Sequence, residues 1–206
     1  MILLTDFSIE LGGRVLFSPI NLYVKPQSIT IVMGSSGIGK SSIINAINGS
    51  IEHKGYLQAG SNFTIFQDSH QLFPWFSIRK NLDLVCNKNY IKTVTDWNLT
   101  DLLDKTPNQI SGGQRQRFTL IRAMYSNSEL LLCDEPLSGL DAVTRYHVLV
   151  DFKNKINELG LTVFYITHDL TEAKLIADDI WLLNPSGITN INRDINEKDF
   201  IQQLDN

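Results

Sequence analysis

The run Ser28-Ile-Thr-Ile-Val-Met33 is apolar and β-branched, and Ile43-Ile-Asn-Ala-Ile47 carries apolar residues at helical spacing. Between them lies Gly34-Ser-Ser-Gly-Ile-Gly-Lys-Ser-Ser42. A buried strand that turns through glycines into a helix leaves backbone N–H groups free at the helix start, where the helix dipole favours an anion. Gly34, Gly39, Lys40 and Ser41 occupy every fixed position of G-x-x-x-x-G-K-[ST], and Ser35, Ser36, Gly37, Ile38 and Ser42 complete the stretch. Glycines at both ends let the backbone curl around a phosphate without a Cβ in the way. Lys40 is then placed for the β- and γ-oxygens of a nucleoside triphosphate, and the Ser41 hydroxyl for Mg²⁺.

Length and patterning bound the architecture. A chain of 206 residues suits one substantial domain with room for a small subdomain. Strands are expected near 2–9, 20–24, 28–33, 62–66, 129–133, 162–166 and 179–183, and helices at 40–48, 111–126, 142–158, 169–177 and 196–204. Alternating strands and helices imply an α/β fold with a mostly parallel, covered central sheet. Residues 68–109 break the rhythm with Pro74, Pro107 and short helical patterns at 77–85 and 98–103. They read as a helical subdomain set into a catalytic core of 1–67 and 110–206.

The net charge of −4 disfavours a general nucleic-acid surface, and no apolar run approaches the ~18 residues that span a bilayer. The chain opens on a strand-like segment with no basic and apolar leader. Cys86 and Cys133, far apart and without C-x-x-C spacing, read as reduced packing residues of a cytosolic protein.

Glu129-Leu-Leu-Leu-Cys-Asp-Glu-Pro136 is an apolar strand that ends in two acids. Asp134 is placed to hold Mg²⁺ through its water shell. Glu135 follows at the γ-phosphate, where a carboxylate can orient or deprotonate an attacking water.

Downstream of the insert, Ile110-Ser-Gly-Gly-Gln-Arg-Gln-Arg117 opens a helix whose Phe118, Ile121 and Tyr125 form a core-facing stripe. Ser111 can cap it, and Gly112 and Gly113 bare its first turn. Such a start is a second anion site, and it makes sense if it serves a nucleotide held by another copy. Ile110-Ser-Gly-Gly-Gln114 resembles the LSGGQ signature of the ATP-binding subunits of ABC transporters, with isoleucine for leucine.

The resemblance covers nearly the whole chain and implies a P-loop NTPase fold with an antiparallel β edge at the N-terminus. By it, Ser111, Gly112, Gly113 and Gln114 contact ATP across a homodimer or pseudo-dimer. Asp141, in Ser138-Gly-Leu-Asp141, resembles the loop along the dimer seam. His168 matches the switch histidine at the γ-phosphate. Gln67 matches the glutamine that senses Mg²⁺ and faces the membrane partner. ATP, Mg²⁺, an integral-membrane permease and a solute-binding protein are the implied cofactors and partners, at the cytoplasmic face of the cell membrane. Gln67-Asp-…-Leu-Phe-Pro-Trp75 and Ser77-Ile-Arg-Lys-Asn-Leu82 resemble importers for nitrate, sulfonates, taurine or thiamine precursors. An export or lipoprotein-release ATPase, and a non-transport ATPase on ribosomes or DNA, share the catalytic motifs.

Some positions depart from the family pattern. Counting back from Ile20-Asn-Leu22, Leu11 occupies the position of the aromatic that stacks on adenine, and Phe17 is the nearest aromatic, out of register. The segments between Lys40 and Gln67 and within the insert are short. The stretch from Gln67 to Trp75 is one residue longer than the family pattern, so Gln71 is a weaker rival of Gln67 for the sensing role. Asn127-Ser128 stands where a proline is usual. Among residues left over, His53, His70 and His147 show no metal-ligand spacing, Arg115, Arg117 and Arg122 read as a solvated or ion-paired helix face, and Asp178 and Asp179 as a turn. The apolar run Phe73-Pro-Trp-Phe76 is either core or the cover of a groove for a membrane-subunit helix.

Overall fold

A computed structural model describes residues 1–67, 71–86 and 89–204. The strands are β1 (Ile2–Ser8), β2 (Glu10–Leu11), β3 (Arg14–Val15), β4 (Ile20–Val24), β5 (Ile29–Met33), β6 (Lys54–Ala59), β7 (Asn62–Ile65), β8 (Leu130–Asp134), β9 (Thr162–Ile166), β10 (Asp179–Asn184) and β11 (Gly187–Ile191). The helices are α1 (Lys40–Ile47), α2 (Ile78–Asp83), α3 (Ile91–Asp96), α4 (Gly112–Met124), α5 (Ala142–Leu159), α6 (Leu170–Ile176) and α7 (Glu197–Leu204).

A six-stranded sheet of order β11-β10-β5-β9-β8-β7 forms the centre. Its strands run parallel except for the β10–β11 pair. β5 and β9 are buried at every residue, as strands covered on both faces must be. The period-2 alternation divides them between two cores. Ile31, Leu131, Val163 and Tyr165 face Phe118 of α4 and Phe152 of α5. Val32, Leu132, Phe164 and Ile166 face Ile43 and Ile44 of α1 and, beyond them, Phe7 and Leu22.

The antiparallel N-terminal strands form a sheet of their own, β4-β1-β6, packed over α1. β6 is mostly exposed and lacks clean alternation, so only its pairing with β1 reveals it as a strand. β11, the β2–β3 hairpin and α3 are further elements beyond the expected set. Between β7 and α4, short α2 and α3 and 3₁₀ turns at Thr100–Leu102 and Pro107–Gln109 make up the helical insert. Its Leu82, Val94 and Leu103 join the core that holds Phe118.

Candidate active site

Four adjacent parallel strands deliver the site. Val32 of β5 pairs with Ile166 of β9, Ile166 with Asp134 of β8, and Cys133 of β8 with Ile65 of β7. Strands in that register end level with one another, so the residues just past them meet at the sheet's carboxyl edge, where α/β folds bind ligands. Those residues are the 34–42 loop, His168, Glu135 and Gln67.

The loop after β5 depends on two glycines. A Cβ on Gly34 would lie 2.5 Å from the Leu183 carbonyl oxygen, so β10 leaves no room for one. Gly39 has φ +109°, and its Cβ would lie 2.9 Å from Leu16 Cδ1. Gly39 precedes α1 with no side-chain cap, which leaves the helix's first N–H groups for a ligand. Lys40, 7% exposed, curls back and donates to the carbonyls of Gly34 (2.8 Å) and Ser35 (2.9 Å). Burial pushes its pKa down, against the pull of the Glu135 and Asp134 carboxylates. The partly buried Ile38 packs against the core under the loop.

The Ser41 hydroxyl donates to Asp134 Oδ1 at 3.0 Å. Burial raises the Asp134 pKa and Glu135 adds to the rise, while the Ser41 bond and Lys40 oppose it. A desolvated carboxylate beside a hydroxyl, both oxygen donors, fits a hard divalent cation such as Mg²⁺. Glu135 sits at φ +44°, a left-handed conformation that costs a non-glycine residue about 1 kcal/mol or more and often marks functional sites. Its N–H donates to the Ile166 carbonyl at 3.0 Å, and its Oε2 meets His168 Nδ1 at 3.0 Å.

A cleft of about 550 Å³ joins these groups. Ser36, Gly37, Gly39, Lys40, Ser41 and Ser42 line it from the loop, facing Gln67, Glu135 and His168, and Leu11 and Leu16 complete it. Leu11 is 44% exposed on the β2–β3 hairpin, whereas Phe17 is 2% exposed and stacked on Phe7. Phe17 is therefore core and supplies no platform for a base. Sequence reasoning missed Leu16, because only the β2–β3 pairing across Gly12 and Gly13 turns it and Leu11 toward the cleft. Gln71 does not line the cleft. Its side chain accepts from Phe66 N (3.1 Å) and donates to the Thr64 carbonyl (3.0 Å), binding it to the end of β7.

Ser111 caps α4 in a reciprocal box. Its hydroxyl accepts from Gln114 N, and Gln114 Oε1 accepts from Ser111 N. None of Ser111, Gly112, Gly113 and Gln114 lines the cleft of their own chain. Asp141 caps α5 by accepting from Thr144 N at 3.0 Å, and that bond holds its pKa below the usual carboxylate range. Gly113 approaches Thr144, so the starts of α4 and α5 lie side by side.

Several leftover residues differ from expectation. Arg122 is not on a solvated face: it is 5% exposed and lies over the Phe63 ring at 5.7 Å. Asp178 and Asp179 do more than turn the chain. Asp178 accepts from Ile29 N and Asp179 opens β10, paired with Lys25. The His53 ring packs 5.2 Å from Phe7. His70 lies outside the described residues.

In the Phe73–Trp75–Phe76 cluster Phe73 is 40% and Trp75 70% accessible, Phe76 is half-buried, and the three rings lie 5.7 to 6.2 Å apart. Fully buried Asn81 holds the turn beneath them. It accepts from Phe73 N (2.7 Å) and donates toward the carbonyls of Phe73, Phe76 and Ser77. Among the described residues no helix is long and apolar enough to cross a membrane.

The family described as "ABC transporter" matches residues 17–138. The aliphatic sulfonates import ATP-binding protein of Corynebacterium glutamicum is 33% identical over 87% of this chain and 78% of its own length. The molybdenum import ATP-binding protein of Haemophilus ducreyi is 31% identical over 82% of this chain, which spans only 54% of that relative. In fold, the chain matches a dimeric post-hydrolysis ATP-binding cassette bound to ADP and phosphate, with TM-score 0.77 and 22% identity, covering 95% of this chain and 100% of that one.

Proposed function

The chain belongs to the ABC transporter family, and from that premise we propose that it is an ATP-hydrolysing motor subunit coupled to a membrane permease for solute import. The observation that carries the reading is the level ending of β5, β9, β8 and β7, which gathers Lys40, Ser41, Asp134, Glu135, His168 and Gln67 at one edge. The free N–H groups at the start of α1 take the phosphates, and Lys40 exchanges the Gly34 and Ser35 carbonyls for β- and γ-oxygens. Ser41, Asp134 and Gln67 would hold Mg²⁺, which when bound offsets the phosphate charge. Glu135 orients the attacking water and accepts its proton, and His168, fixed by Glu135, contacts the γ-phosphate.

Residues 111–114 lie off their own cleft, which suits contact with ATP held by a second copy in a head-to-tail pair. The exposed Phe73 and Trp75, with half-buried Phe76 beside them, suit docking to a permease helix on the cytoplasmic side of the membrane. Import, and with it a solute-binding protein, follows the relatives named for sulfonate and molybdenum import.

Glu135→Gln tests the reading. ATP binding should persist while turnover falls by at least about a hundredfold, the range for loss of a general base. An ATP-dependent dimer should then accumulate in size-exclusion chromatography. Hydrolysis at the parent rate would refute the assignment.

A further inference from the structure

Behind the Glu135–His168 contact lies a small polar cavity of about 120 Å³, bounded by Glu135, Ser138, Arg145, Thr167, His168 and Glu172 among others. Arg145 closes the first turn of α5, and its guanidinium reaches three separate places. Nη2 donates to the Leu140 carbonyl at 2.8 Å, on the loop between Glu135 and Asp141. Nη1 pairs with Asp169 Oδ2 at 3.0 Å, and Nε faces Glu172 Oε1 at 3.6 Å. Both acids line the small cavity together with His168. Asp169 caps α6 through Oδ1, accepting from Thr171 N at 2.8 Å.

Glu172, itself 6% exposed, accepts from the hydroxyls of Tyr165 (3.0 Å) and Thr167 (2.9 Å). Thr167 Oγ1 in turn accepts from Asp169 N at 3.0 Å. The residues on either side of His168 are thus pinned, while its own side chain stays 70% exposed and touches Glu135. Among the described residues Glu135 is the hydrogen-bond partner of the imidazole, and the ring's aim is otherwise set by the backbone between Thr167 and Asp169. That backbone is anchored through Asp169 and Glu172 to Arg145, and through Arg145 to the loop that carries Glu135.

We propose that Arg145 is a positioning residue for hydrolysis: by bridging Leu140 to Asp169 and Glu172 it locks the two loops in the register that brings His168 onto Glu135. This rests on the reading of the cleft as an ATP-hydrolysing site. A planar fork with several donors suits the task, because one side chain can hold acceptors on different loops at fixed angles. Arg145 does not line the nucleotide cleft, so its loss acts on the chemistry and spares binding.

Arg145→Ala is compared with the parent by steady-state ATP hydrolysis and by ¹⁵N NMR of the histidine imidazoles, with His168 assigned from His168→Gln. Expected are a kcat lowered more than tenfold, a KM for ATP changed less than threefold, and His168 imidazole signals displaced toward their positions in Glu135→Gln. A smaller fall in kcat, a larger change in KM, or His168 signals that stay at parental positions would each overturn the proposal. If Arg145→Ala does not fold, Glu172→Gln takes its place, since it keeps the side chain's size, removes the charge facing Arg145 and turns one of the two acceptor oxygens into an amide donor. It should displace the same His168 signals and lower kcat at least threefold, and their constancy would count against the proposal. Failure of the site reading is separate: it would show as a parent protein with no hydrolysis and no response to Glu135→Gln.

Discussion

Asn81→Ala should loosen the exposed aromatic turn and leave the nucleotide cleft alone. The Asn81 side chain is fully buried; it accepts one bond from Phe73 N and shares its amide hydrogens among the carbonyls of Phe73, Phe76 and Ser77. An amide has two such hydrogens, so about three bonds are well made at any moment. At a net ~1 kcal/mol each, with the partner groups left partly unsatisfied, the substitution costs about 2–4 kcal/mol. For a chain of this size that is a Tm lower by roughly 4–16 °C. Differential scanning calorimetry measures the shift, and calorimetric titration with ATP should give a Kd within threefold of the parent. Without its anchor the turn no longer presents Phe73, Trp75 and Phe76 together, so copurification with the permease should fall as well. A Tm within 1 °C of the parent would refute the reasoning, because the Asn81 bonds would then carry no net stability.

Trp75→Glu, at a side chain 70% exposed, should change stability by no more than about 0.5 kcal/mol and leave ATP binding intact. It should abolish recovery with the permease-containing membrane fraction by forcing a charge into a desolvated contact; a protein that fails to fold would instead show Trp75 to be structural. Leu11 offers a base apolar contact without ring stacking, so ATP and GTP affinities should lie within about tenfold, and Leu11→Tyr should tighten both by the ~1–3 kcal/mol of a stacked ring. Competitive displacement of a ribose-labelled ATP measures this, and a strong adenine preference in the parent would contradict it. Asp141→Ala should lower Tm at neutral pH through loss of the α5 cap. Because the cap lowers the folded-state pKa of Asp141, its contribution is complete above the ordinary value of about 3.9 and is lost as pH falls through the lowered one. The Tm gap between parent and variant should therefore close in acid, and a gap that widened there would reverse the sign of the argument.

Most of the candidate site was legible in the sequence, because each motif depends on local backbone chemistry. Gly34 and Gly39 mark a turn that other residues cannot make, the Ser111–Gln114 box is closed by residues three apart, and buried β5, β8 and β9 announce themselves as short apolar runs. What the sequence could not decide is everything set by pairing between distant segments. Whether Gln67 or Gln71 faces the cleft depends on which side chain the end of β7 captures, and it captures Gln71. Arg122 read as a charged surface residue until packing laid it over Phe63, and the sequence left Phe73, Trp75 and Phe76 open between core and a groove cover until the turn held by Asn81 put Phe73 and Trp75 at the surface. The parallel register of Val32, Ile166 and Asp134 is likewise a tertiary fact. Local turns follow from one residue's allowed dihedrals and its near neighbours, whereas the meeting of strand ends and the choice among competing partners are settled only when the whole sheet closes on its two cores.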